Sequence, residues 1–181
     1  CAWAEKGSMH KYHDEEWGVP NHDDRKHFEF LILEGAQAGL SWETILKRRA
    51  GYREAFSNFD VAKVSKFNRK DFNRLMNDAG IIRNRLKIMA AINNAKMFLK
   101  VQEEFGSFDK YLWRFVDGKQ VRNNFKILKE IPAKTELSDG ISKDLKKRGF
   151  SFVGSTIIYA HLQAVGVVND HLVDCFRRNV V

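Results

Sequence analysis

The stretch FEFLILEGAQAGLSWETILKRR, Phe28 to Arg49, decides how the rest of the chain is read. Phe28, Leu31 and Ile32 fall at helical spacing, which predicts an amphipathic helix running into Gly35. Ser41 reads as the N-cap of a second helix whose apolar side carries Trp42, Ile45 and Leu46. Between the two lie small residues, Gln37, Gly35 and Gly39, with Leu40 at the tip. Glu34 stands among apolar or small neighbours, Leu33, Gly35 and Ala36. A carboxylate at a helix end, beside a tryptophan and a glycine turn, suits a pocket for a flat polar ligand. An ordinary helix turn with Glu34 in solvent is the competing reading.

Outward from this pair the chain continues as helices. Before it, Ala2 to Pro20 has no sustained period but carries Trp3, His10, Tyr12, His13 and Trp17. That predicts a loop-rich opening too aromatic for a disordered tail. After it, Tyr52, Ala55, Phe56 and Phe59 mark a third short helix, and Asp60 caps a fourth. Asn68, with Asp71 three residues on, predicts a capping box for a helix that stops at Gly80. Ile81, Ile82 and Arg83 then lead into a long helix closed by Gly106, and Ser107 starts the next. Lys119 to Pro132 reads as a connector, Ser138 as the cap of a basic helix, and Gly154-Ser155 as a further start. A last helix from Asn169 or Asp170 is expected to carry His171 and Cys175. No alternating strand, repeat or low-complexity tract interrupts this pattern, so the expected class is all-α.

Composition narrows the setting. The 181 residues are 44% hydrophobic and 30% charged, enough for a real core in one domain or two closely packed lobes. No apolar run approaches the ~20 residues of a membrane span, and no secretory pattern opens the chain. The start at Cys1 implies a short leader that has been removed or precedes these residues. Lys and Arg number 31 against 23 Asp and Glu, a net charge of +8. Basic clusters at Lys47-Arg48-Arg49, Arg83/Arg85/Lys87 and Lys146-Lys147-Arg148 suit a polyanionic partner or simply a soluble surface. Two cysteines make no disulfide framework, so a reduced, cytoplasmic setting is expected.

Three constellations carry chemistry. The helix, glycine-led turn and helix around Gly80, Ile82 and Arg83 form a hairpin whose amides could hold a phosphate without reading a base; an αα-corner with Gly80 as C-cap is the plainer alternative. Cys1, His13, His171 and Cys175 supply two thiolates and two imidazoles, the donor set of a closed structural Zn²⁺ site. On a helix, His171 and Cys175 would share one face about 6 Å apart. A staple of this kind is worth roughly 10–16 kcal/mol in small zinc units; unrelated Cys and His is the alternative. Finally, Tyr12, Trp17 and Trp42 offer aromatic faces that stack on nucleobases, or else simply fill the core.

Taken together, YHDEEWGVP at Tyr12 to Pro20, LEGAQAGLSW at Leu33 to Trp42, DAGIIRNRLKI at Asp78 to Ile88, KKRGFSFVGSTIIY at Lys146 to Tyr159 and VNDHLVDC at Val168 to Cys175 resemble the 3-methyladenine DNA glycosylase I family across nearly the whole length. The resemblance implies an all-α helix-hairpin-helix DNA glycosylase fold with a zinc lobe built from both termini. It implies a central lobe over about 27–106 and a terminal lobe over about 1–26 plus 107–181, in one catalytic unit. Glu34, Tyr12, Trp17 and Trp42 match the base pocket; Gly39 and Leu40 match the loop that probes the DNA stack; Gly80, Ile82 and Arg83 match the phosphate anchor; Cys1, His13, His171 and Cys175 match the zinc ligands. The implied activity is monofunctional removal of 3-methyladenine from alkylated double-stranded DNA, by a cytoplasmic monomer. A non-catalytic binder of damaged DNA and a zinc hydrolase are the competing classes. Many relatives in the wider superfamily place an aspartate after the hairpin, and none occurs here between Gly80 and Gly106.

Overall fold

Short polar side chains set where the helices begin. In the computed structural model, which describes residues 1–4 and 7–181, Ser41, Asp60, Asn68 and Ser107 each accept a hydrogen bond from a backbone amide two or three residues on. These caps satisfy amides that the first helical turn leaves without a partner. Asn68 and Asp71 close the reciprocal box. The helices among the described residues are α1 (Gly7–Glu15), α2 (Asp24–Gln37), α3 (Trp42–Ala55), α4 (Val61–Val64), α5 (Arg69–Asn77), α6 (Arg85–Phe105), α7 (Phe108–Trp113), α8 (Glu136–Lys147) and α9 (Ser155–Ala164). None is long and apolar enough to cross a membrane.

Several boundaries differ from the sequence reading, each for a physical reason. The opening segment contains α1; it turns only Tyr12 and His13 fully inward, so its apolar period is too thin to see. Helix α2 does not stop at Gly35 but runs to Gln37, and every residue from His27 to Ala36 is buried. It is a central helix, wrapped by α3, α6, α7 and α9 rather than lying on a surface. Tyr52 and Ala55 belong to the end of α3. Thr135 caps α8, and Ser138 is its reciprocal partner three residues on.

The segment expected as a last helix is not one. Val168–Asn169 (β2) pairs in parallel with Val121–Arg122 (β1), Val121 opposite Val168. The Asn169 side chain then accepts from the His171 amide at 3.1 Å, and the fully buried Asp170 accepts from Asn123, Tyr159 and Gln163. Those side-chain bonds hold the backbone in a turn that a helix could not make.

Aromatic packing fills the centre: Phe28 of α2 meets Phe98 of α6 edge-on at 5.4 Å, and Phe98 stacks on Phe108 at 4.2 Å. Burying each such ring is worth about 1.5–3 kcal/mol. Beside α2, Arg49 of α3 grips both carboxylate oxygens of Glu16 at 2.7 and 2.8 Å and Glu29 at 2.7 Å. Burial alone would raise Glu16 and Glu29, but the guanidinium outweighs it and holds both below the usual carboxylate range.

The turn between α5 and α6 is seated on α3 through two glycines. A Cβ on Gly51, midway along α3, would lie 2.4 Å from the Gly80 carbonyl oxygen, and one on Gly80 would lie 3.3 Å from the Gly51 Cα. Gly80 therefore serves close approach rather than helix termination: α5 ends at Asn77. An exposed helix glycine normally costs about 1 kcal/mol against alanine; here alanine is the costlier residue. Gly51→Ala is expected to destabilise the chain by about 1–3 kcal/mol through backbone displacement, read as a lower midpoint in urea.

Candidate functional site

Two buried glutamates on α2 have opposite surroundings. Glu29 is tied to Arg49 and Lys26. Glu34, 4% exposed, makes no hydrogen bond or ion pair with any described residue. Burial, with nothing to offset it, pushes the Glu34 carboxyl up to about 8. An acid left in this state is commonly a functional group.

Glu34 opens into a cavity of about 350 Å³ whose walls include Tyr12, Trp17 and Trp42, within the range of small-ligand pockets. Helix α1 supplies Tyr12, the turn after it Trp17, and the first residue of α3 supplies Trp42. The Tyr12 and Trp42 rings lie 5.4 Å apart, and Phe30 stacks behind Trp42 at 6.4 Å. Burial first, and Glu34 second, raise the Tyr12 phenol well above its ordinary range, so it remains a hydroxyl donor. The buried Trp42 Nε1–H has no partner among the described residues. The site thus combines π faces, an acid and unspent donors. It suits a flat ring with an amine edge and a positive charge.

Gly39 and Leu40 line an adjoining cleft of about 210 Å³ that shares Glu34, Gln37 and Ala160 with the first. Gly39 adopts a φ of +77°, and Leu40 at the tip is 40% exposed. The hairpin is a separate feature. Its Gly80 amide donates to Asp78 at 2.7 Å and its Ile82 amide to the Tyr52 hydroxyl at 3.2 Å. These two amides are turned inward, leaving exposed Arg83 and Arg85 and the first turn of α6 as the outward charge.

Cys1, His13, His171 and Cys175 come together although the last two share no helix. Their ligand atoms all lie within 4.8 Å of one another. The Cys175 Sγ is 3.4 Å from His13 Nε2 and 3.4 Å from His171 Nδ1, and Cys1 Sγ is 3.8 Å from His171 Nδ1. A tetrahedral metal with bonds of ordinary length needs edges of about 3.3–3.8 Å. The remaining ring nitrogens are also placed: His13 Nδ1 lies 2.6 Å from Asp14 Oδ1, and His171 Nε2 lies 2.9 Å from the Trp17 carbonyl oxygen. Such partners fix the tautomer of a metal-binding imidazole. Burial pulls His171 down to about 4 and lowers His13, which keeps both rings neutral, as ligands must be. This cluster could hold a metal ion, and its donors fit zinc.

Comparison with known proteins shows the family of the chain. The family model described as methyladenine glycosylase matches residues 3–178. The chain belongs to the methyladenine glycosylase family. It is 48% identical over 176 residues to DNA-3-methyladenine glycosylase 1 of Escherichia coli, covering 97% of this chain and 94% of that one. The DNA-3-methyladenine glycosylase of Haemophilus influenzae is 46% identical, with 97% and 95% covered. Among solved structures, a 3-methyladenine DNA glycosylase I superposes with a TM-score of 0.94 at 47% identity, covering 97% of each chain. The Staphylococcus aureus enzyme, whose structure describes recognition of 3-methyladenine, gives 0.93 at 37% identity, covering 96% of this chain and 93% of its own.

In this methyladenine glycosylase the cavity has further walls that sequence reasoning did not assign: Trp3, Gln37, Leu128, Ile131 and Gln163. Gln37 was within reach, since it follows Glu34 by one helical turn on α2. Leu128, Ile131 and Gln163 arrive from distant segments and leave no local signal.

The lone acid sets a pH signature. Between the ordinary value of 4.5 and about 8, the folded chain keeps a proton on Glu34 that the unfolded chain releases. Folding stability from this group therefore falls as pH rises through that window and is level above it. The advantage of Glu34→Gln is expected to grow from near zero below pH 4.5 to about 3–5 kcal/mol by pH 8. Thermal melts across pH measure it; a gap that does not change with pH would refute burial as the cause.

Proposed function

We propose that this chain is a monofunctional DNA glycosylase that removes 3-methyladenine from alkylated double-stranded DNA as the first step of base-excision repair. The observation carrying this reading is Glu34: a buried carboxyl without a counter-ion among the described residues, facing an aromatic cavity. Methylation at N3 makes the adenine cationic, and an acid walled by π faces distinguishes that cation from a neutral base.

The steps follow from the residues. The hairpin, through Arg83, Arg85 and the N-terminus of α6, holds the phosphate backbone as a helix-hairpin-helix anchor. Leu40 and Gly39 press on the stack where the nucleotide leaves it, and the flip costs a few kcal/mol. Inside the cavity Glu34 gives up its proton to solvent, matches the base's charge and accepts from the exocyclic amine, while Trp42, Trp17 and Tyr12 enclose the ring. The C1′–N9 bond breaks with its electron pair going to the base. A water oxygen bonds to C1′ and loses a proton to solvent, leaving an abasic sugar. The departing base is neutral, so its attraction to Glu34 weakens and it is released. With no aspartate between Gly80 and Gly106, the quality of the leaving group carries the reaction, which confines it to cationic bases.

A Zn²⁺ ion on Cys1, His13, His171 and Cys175 would be structural, supplying cohesion between α1 and the turn at His171 and no chemistry in the reaction. On this reading, residues about 27–106 form the lobe that grips DNA, and about 1–26 plus 107–181 the lobe closed by metal. The enzyme works as a monomer in the bacterial cytoplasm.

Incubation with methylated duplex DNA and chromatography of the released bases tests the activity. Free 3-methyladenine and an equal yield of abasic sites are expected; tight binding to that DNA with no base released would replace the enzyme with a non-catalytic binder. Chelation, or Cys175→Ser, is expected to lower the melting temperature by about 10 °C or more for a staple of this strength. An unchanged melt after complete chelation would remove zinc from the account.

A further inference from the structure

Lys87 lies in the first turn of α6, three residues after the N-cap Asn84, and by sequence it belongs with the basic residues of the hairpin. Its ammonium is spent elsewhere. Nζ donates to the Ala36 carbonyl at 2.7 Å and to the Ala38 carbonyl at 2.6 Å. Both oxygens belong to the C-terminal end of α2, where carbonyls lack helical partners and the helix dipole is negative. A cation from one helix thus caps the end of another.

The position of that cap matters. Ala38 leaves the helix with φ −44° and ψ 115°, Gly39 turns at φ +77°, and the Leu40 amide reaches back to the Gln37 carbonyl at 2.6 Å. Beyond its own chain neighbours, no atom lies within 4 Å of where a Gly39 Cβ would stand, so the turn is open at that point, while Leu40 shares a cleft with Thr156, Ile157 and Ala160. The Leu40 amide and the two bonds from Lys87 tie the backbone of the turn in place. The hairpin feeds directly into α6, so one short stretch connects the backbone anchor to the turn that presents Leu40.

We infer that Lys87 is a positioning residue: it fixes the Ala38–Gly39–Leu40 turn against α6, so that Leu40 meets the duplex at a height set by the hairpin. Lys87 on this account contacts neither a phosphate nor the base. The inference rests on the glycosylase reading above, because Leu40 has a stack to press on only if the substrate is a duplex.

The test compares release of 3-methyladenine from methylated duplex and from the same DNA single-stranded, alongside binding of the free base by tryptophan fluorescence. Lys87→Met is expected to lower kcat/KM on the duplex by roughly 10–100-fold, the scale of losing charge-assisted hydrogen bonds. Single-strand excision and free-base affinity should stay within about twofold, because neither requires displacement from a stack. Leu40→Ala should lose duplex activity similarly, and the double variant should be no worse than Leu40→Ala alone, since both changes remove one function. If the Met variant does not fold, Lys87→Gln, which removes the charge and is one bond shorter but polar, runs the same cycle. Equal losses on duplex and single strand, or losses that multiply in the double variant, overturn the inference. No base released by the unaltered chain would defeat the glycosylase reading and this inference with it; normal release combined with an unaffected Lys87→Met duplex rate would defeat the role of Lys87 alone.

Discussion

Holding Glu34 out of water with no counter-ion among the described residues is the constraint that the surrounding architecture answers. Such a group is costly unless it gives up its charge or finds a partner, and neither Arg49 of α3 nor Lys26 of α2 serves it, both being occupied by Glu29 and Glu16. The helix must therefore be held by everything else around it. It is buried from His27 to Ala36 and packed by helices from both halves of the chain. The stability that supports an unfavourable acid comes from aromatic contacts and a satisfied ion cluster one and two turns away. Loss of function and gain of stability should then go together at Glu34, a trade common to active sites.

The Cys/His cluster and the cavity share a wall. Trp17 lines the cavity, its ring sits 4.6 Å from that of His171, and its carbonyl oxygen lies 2.9 Å from His171 Nε2. Trp3 meets both Trp17, at 5.0 Å, and His13, at 5.4 Å. The opening segment is thus ordered from two sides, by the Cys/His cluster and by the aromatic wall, without a large apolar face of its own.

Much of this was legible in the sequence. Ser41, Asp60, Asn68 and Ser107 announced their helices because a short side chain reaching its own backbone is a local event. Glu34, Tyr12, Trp17 and Trp42, and Cys1, His13, His171 and Cys175, stood out by residue type and were grouped by the resemblance; the first four line one cavity and the last four lie together. What was not legible was decided at long range. Helix α1 is polar on most of its surface, β1 and β2 are two residues each, and the turn at Asn169–Asp170 depends on Asn123 and Tyr159 from elsewhere. Lys87 read as one more cation of the hairpin because its partners, two carbonyl oxygens, have no signature in a sequence. The same holds for Gly51 and Gly80, whose shared purpose appears only when their backbones touch.

That contact gives α3 a second significance. The helix begins at Trp42 in the cavity wall and meets the hairpin at Gly51, nine residues along, or about 13–14 Å at the rise of an α-helix. A single helix therefore sets the span between the cavity wall and the turn that leads into α6. On the reading proposed above, nucleic acid whose sugar–phosphate path is stretched or compressed over that span would engage one end and miss the other.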